Sequence, residues 1–212
     1  MPEDVTVRWI TLALAAVVLT GGGEPAQRKW GRTAMASEAT LQAAFRATPT
    51  ELEIDYAVVN TGREGLFVVD VSISVTSAGT VVRTGVPRTE LTEDRRVMLL
   101  SRLTQIDPAR SYAAPPQAYA AFLEPGATRK ISATLPFPLA PGNAPPSQEV
   151  QEILCEKLTF ILGVVPAPAV PSAREQEVGG VKLWRLPLDA WRHQRELRID
   201  ASVPHLRVLY PK

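Results

Sequence analysis

The residues of this chain that could do chemistry are few and widely spaced. Cys155, the one cysteine, could act as a nucleophile if His193 or His205 came close enough to take its proton. Its neighbours argue against that: Ile153-Leu154-Cys155 leads into the apolar run from Lys157 to Val165, the setting of an inert buried thiol. A serine hydrolase needs a sharp turn that presents the hydroxyl, such as G-x-S-x-G, and the sequence holds none. His193 and His205 stand twelve residues apart, with no cysteine cluster and no HExxH motif beside them. Glu90, Glu93 and Asp94 lack the spacing of a calcium loop. Gly21-Gly22-Gly23 follows an apolar run but lacks the Lys-Ser/Thr that a phosphate-binding loop requires. The sequence therefore predicts no catalytic residue, no metal site and no cofactor.

Two segments carry residue types suited to contact rather than catalysis. VKLWRLPLDAWRHQRELR holds Trp184 and Trp191 among Arg185, Arg192, Arg195 and other cations. Aromatics interleaved with cations can stack on single-stranded nucleic acid or meet an anionic surface. Trp and Arg also dominate the energetic centres of protein interfaces. The competing reading makes the tryptophans core and the arginines a solvated face. The second segment, SYAAPPQAYAAF, places Tyr112 and Tyr119 on a Pro-stiffened loop, which can form a binding rim or cap a sheet edge. These seven residues are the candidate interaction surface, and a protein partner is the expected occupant.

The elements that must position them have a period of two. Leu41 to Phe45 and Glu51 to Val59 alternate apolar and polar side chains, as half-buried strands do. Asn60 to Gly65 is a turn, and Leu66 to Thr76 is expected as one long strand pairing antiparallel with Glu51 to Val59. Asp70, Ser72 and Ser74 then share its polar face. Short strands are expected at Thr80 to Arg83, at Thr128 to Leu135 and at Val181 to Leu186, while Arg95 to Ile106 favours a strand over the alternative of a helix. Asp107 to Ala121, Pro136 to Ser147 and Pro166 to Gly180 read as Pro-rich loops. Glu149 to Cys155 fits a helical turn before Lys157 to Val165, which is apolar on both faces and so suits a central strand. Leu188 to Glu196 fits a short helix capped by Asp189. Leu197 to Val203 and Leu206 to Tyr210 close the chain. About eight to ten strands without a sustained helical period predict an all-β, antiparallel β-sandwich.

The stretches LEIDYAVVNTGREGLFVVDVSI and FLEPGATRKISATLP resemble bacterial immunoglobulin-like modules. The shared features are the strand, Asn-x-Gly turn and strand at Asn60 and Gly62, and the later turn at Leu123, Pro125, Gly126 and Thr128. The nearest resemblance is to CARDB-type modules, associated with cell adhesion, and more loosely to BsuPI-like proteinase-inhibitor domains. It implies an immunoglobulin-like sandwich, and its matched residues are turn residues rather than site residues.

The N-terminus carries the apolar run Trp9 to Leu19, ended by Thr20 and three glycines. At eleven residues it is too short for a spanning helix, which needs roughly 20, but it suits the apolar part of a secretory signal. Glu3 and Asp4 ahead of the run, and Arg28, Lys29 and Arg32 after it, oppose export. Translation from Val7 would remove the first objection. The expected organisation is a signal peptide or anchor over residues 1–23, a tether over 24–37 and one sandwich domain over 38–212.

Composition sets the outer limits. With 212 residues, 45% of them apolar, the chain can bury a sizeable core. Its 23 basic and 22 acidic residues give a formal charge of +1, which removes the broad electrostatic case for nucleic acid. Arginine outnumbers lysine 18 to 5, a bias of GC-rich bacterial genes. The function expected is a non-enzymatic binding or scaffolding module of the periplasm or cell envelope, touching membrane only through an uncleaved N-terminus. The alternatives are an enzyme-inhibitor domain that inserts a Pro-rich loop, and a cytosolic β-protein.

Overall fold

The computed structural model describes residues 34–36, 38–77, 79–105, 117–143 and 149–211. The Trp9 to Leu19 run and the tether up to Thr33, and Tyr112, lie outside them. The described chain is all-β, with mostly antiparallel sheets and no α-helix. In chain order the strands are β1 (Ala34–Ala36), β2 (Ala39–Ala47), β3 (Glu51–Asn60), β4 (Leu66–Val69), β5 (Val71–Thr76), β6 (Gly79–Thr84) and β7 (Arg88–Leu91). Then follow β8 (Arg96–Ser101), β9 (Ala118–Leu123), β10 (Thr128–Pro136), β11 (Val150–Pro166), β12 (Arg174–Val178), β13 (Val181–Leu186) and β14 (Arg195–Pro211).

One sheet runs β1-β2-β3-β10, and β5 and β6 form a separate hairpin. The second sheet runs β12-β13-β9-β4-β11-β8-β7, with β14 along the other side of β11. Strand β11 organises it. Its residues Lys157 to Leu162 pair in parallel with β8, and Gly163 to Pro166 pair antiparallel with β4, while β14 follows it from Val150 to Val164. The apolar stretch LTFILGVV belongs here because a strand paired on both edges and covered on both faces has no polar side.

The main core lies between the sheets. Leu41, Leu52, Ile54 and Val58 of the first sheet meet Leu99, Leu158, Phe160 and Leu197 of the second. The Phe160 ring lies 5.2 Å from Tyr56 and 6.1 Å from Phe45. A smaller cluster covers the opposite face of the second sheet: Phe67, Val69, Val165, Val170, Leu186 and Ala190.

The structure departs from the sequence reading in several places. Leu66 to Thr76 is two strands, and neither pairs with β3. Strand β4 is buried on both faces, Leu66 and Val68 toward the main core and Phe67 and Val69 toward the smaller cluster. Asp70, expected on a polar face, has the parity of Val68 and is buried. The Asn60 turn joins two sheets instead of closing a hairpin. Its side chain explains why: buried Asn60 donates to the Glu64 and Leu123 carbonyls (2.8 and 3.1 Å) and accepts from Gly62 (3.0 Å), tying the turn to β9. Segments read as loops contain the first part of β9 and all of β12, and the expected helical turn at Glu149 is the first part of β11. The helix expected after Leu188 is a single 3-10 turn, Ala190–His193, with Asp189 at its N-cap and no side-chain capping bond. Pro125-Gly126 does form the expected turn, with Gly126 at φ 73°.

Candidate functional site

Near the C-terminal end of β11, several elements leave a cleft of ≈ 430 Å³. Val71, Ser72 and Ile73 of β5 form one wall, and Gln117, Ala118 and Tyr119 at the start of β9 form another. Leu103 and its neighbours after β8, the Pro187-Leu188 turn and Trp191 close the remaining sides. Such a volume and a mixed apolar and polar lining suit a small ligand or one or two side chains of a partner.

Sequence details hold this cleft open. Gln194 imitates a neighbouring strand: its Oε1 accepts from the Leu103 N–H (2.6 Å) and its Nε2 donates to the Leu103 carbonyl (3.4 Å). That clamp ties the segment after β8 to the 3-10 turn that carries Trp191. Gly163 permits it, since a Cβ there would stand 2.3 Å from the Gln194 Oε1. On the far side, Pro187 ends β13 and Leu188 is left exposed at the rim.

Two smaller clefts adjoin the first. One, of ≈ 290 Å³, lies among Ser172, Arg174 and Arg185 and shares Gln117, Pro187 and Leu188 with it. The other, of ≈ 190 Å³, lies near Arg88, Leu100 and Asp70 and shares Val71, Ser72 and Arg102 with it. Together they make a groove running from β12 past the β5–β6 hairpin toward β7.

Asp70 closes the far end of the groove. Its carboxylate, with no exposed side-chain surface, accepts from Arg129 Nε (2.7 Å) and Nη2 (3.2 Å) and from the Tyr56 hydroxyl (3.1 Å). Burial first, and then the adjacent Asp70 charge, push the Tyr56 phenol far above its ordinary pKa, so it stays protonated and donates. Arg129 comes from β10 and Tyr56 from β3, so this network bolts the first sheet to the point where β4 gives way to β5.

The candidate contact residues divide. Tyr119, Trp191 and Arg185 border the groove. The Tyr119 hydroxyl donates to Gln117 (2.6 Å), and the Arg192 guanidinium lies 5.5 Å from the centre of the Trp191 ring. Trp184 packs in a ring cluster, 5.4 Å from Phe67 and 5.5 Å from Phe122, as the core reading of the tryptophans requires. Arg195 donates to Glu38 (2.8 Å), linking the start of β14 to the residue before β2. Arg174, Leu188 and the β5 wall were not foreseen. One signal was present: Val178-Gly179-Gly180-Val181 is a two-residue hairpin turn, and both glycines have positive φ (57° and 77°). It marks Arg174 as a strand residue facing β13.

The nucleophile pairing does not form. Cys155 is 3% exposed in the main core, and burial raises its thiol pKa. His205 sits at an exposed position of β14 with φ 63°, and His193 lies beyond the other end of the β11–β14 ladder, roughly 30 Å from Cys155 at strand rise. Among the described residues no group of His, Cys, Asp and Glu could hold a metal ion. Comparison with protein families, with curated proteins and with solved structures finds no match to this chain.

Proposed function

We propose that this chain is a non-enzymatic binding module, a β-sandwich of immunoglobulin-like kind, that takes a protein partner into the groove between the β5–β6 hairpin and the β9–β13 pair. One observation carries the reading. Tyr119 from one segment and Arg185 and Trp191 from another, all singled out by residue type, border a single groove. The sandwich reading is supported by the main core, to which both large sheets contribute one face. Placement in the cell envelope rests on the Trp9 to Leu19 run alone.

A photoreactive side chain at Leu188 or Tyr119, with a control at the exposed Leu154, tests the groove in the host of origin. Groove positions should cross-link a common protein that Leu154 does not. Equal labelling from all three positions would sink the reading. The intact mass of the protein from separated cell fractions tests export: a periplasmic species beginning near Glu24 supports it, and a full-length species in the soluble cytosolic fraction removes it.

A further inference from the structure

We propose that Arg174 and Arg185 form an anion-binding subsite at one end of the groove, and that its occupant is an acidic peptide segment of the partner. One or two carboxylates would lie on the guanidinium groups, with an adjoining apolar side chain against Trp191. This deepens the binding reading and rests on it.

Register is the first observation. Arg174 lies directly opposite Arg185 across β12–β13, and Arg185 lies opposite Tyr119 on β9. Like charges directly opposed across a ladder are unfavourable unless something neutralises them. Elsewhere the chain provides the neutralising group: Arg46 faces Glu53 across β2–β3 and binds it through Nε (2.7 Å) and Nη2. At Arg174 and Arg185 it does not. Neither guanidinium makes a hydrogen bond or ion pair with another described residue. Glu175 is engaged by Lys182 (3.7 Å), and Asp189 in the following turn pairs with neither arginine.

Space is the second. The two arginines line the ≈ 290 Å³ cleft with Ser172 and Gln117, so a ligand there meets two cations and two neutral polar groups. That cleft opens into the ≈ 430 Å³ one, where Leu188, Ile73 and Trp191 offer apolar surface. Paired guanidinium groups match the planar geometry of carboxylates. A polyanion such as nucleic acid would need a continued basic track, and the chain carries a formal charge of only +1. An acidic segment with an aliphatic or aromatic neighbour satisfies both halves of the groove.

Selection of random dodecapeptides displayed on phage against the full-length chain tests this. The enriched peptides are then synthesised and titrated against the unaltered chain, Arg174→Ala/Arg185→Ala, Trp191→Ala and the remote control Arg63→Ala, with folding checked by circular dichroism. Enrichment of Asp and Glu beside apolar residues is expected. Binding should weaken at least tenfold in the double variant and in Trp191→Ala, and stay unchanged in the control. Peptides that depend on Trp191 but show no acidic enrichment, or that ignore the double variant, overturn the anion subsite and leave the groove reading standing. If no peptide depends on Trp191, both fall. Arginine-dependent binding of a heparin fragment or of phosphatidylglycerol vesicles, without acidic peptides, would assign the anion to another class and overturn the proposal.

Discussion

Asp70 is the residue whose environment contradicts its type most sharply, and its energetics follow from the asymmetry of buried charge. Removing one partner of a buried ion pair costs about 3–5 kcal/mol, because the other charge is left stranded. Arg129 is the partly exposed member and Asp70 the buried one, so Arg129→Met should cost about 3 kcal/mol in urea unfolding. Adding Asp70→Asn removes the stranded charge and keeps an acceptor for Tyr56, so the double variant should recover at least half of that loss. Additive costs would mean that the pair is not coupled. Asp200 behaves differently. The Thr159 hydroxyl first, and then Arg198 and Arg96, hold its carboxyl below the ordinary value of 3.8. A depressed folded pKa contributes stability that is fully present above the unfolded pKa and is lost as pH falls through the folded one. Asp200→Asn should therefore flatten the stability profile below about pH 4 and leave its slope above pH 5 unchanged. The effect should be small, since Asp200 is half-exposed and shielded by solvent. A slope change near neutral pH would contradict the assignment.

At the scale of elements, the β12–β13 hairpin makes the most direct claim. If Arg174 and Arg185 repel each other in the free protein, Arg185→Glu replaces repulsion with a cross-strand ion pair and should stabilise the fold by roughly 0.2–1 kcal/mol, while weakening any anionic ligand. Thermal unfolding at low and at high salt reads this: the gain should shrink with salt, and a salt-independent loss would mean that the two side chains do not meet. The same hairpin shows what was legible beforehand. Strands with a clean alternation, such as Glu51–Asn60 and Thr128–Pro136, could be read almost to the residue, because one face is wet and the other dry. Arg174–Val178 could not, being an edge strand exposed along nearly all its length, with no alternation to read. Leu66–Val69 misled in the opposite way. Its four apolar residues in a row signalled burial on both faces, and the regular pattern beyond Asp70 disguised the break. Of the candidate site, the aromatic and basic residue types pointed to Tyr119, Arg185 and Trp191. Their meeting depends on long-range pairing through β9, which local pattern does not encode.

At the scale of the whole molecule, the described residues form two apolar clusters on opposite faces of one sheet, and these should fail separately. The main core joins both large sheets, so Phe160→Ala, at a fully buried ring packed on Tyr56 and Phe45, should cost roughly 3–5 kcal/mol and lower the stability of the entire fold. The smaller cluster is roofed by the Pro166–Ala173 segment and by the 3-10 turn before β14, elements with few partners of their own. Phe122 packs on it half-buried, covering Gly65 so closely that a Cβ there would stand 2.4 Å from its ring. Phe122→Ala should therefore loosen β9, β12 and β13 while leaving β3 and β11 in place. Hydrogen exchange distinguishes the two variants. In Phe122→Ala the amides of β13 should exchange faster, with those of β3 and the Lys157–Leu162 part of β11 unchanged, whereas Phe160→Ala should accelerate all of them. Uniform acceleration in both would mean one cooperative unit. Separate responses would mean that the groove is built on the less stable half, where a ligand seated between β9 and the 3-10 turn could order its own site at little cost to the rest of the fold.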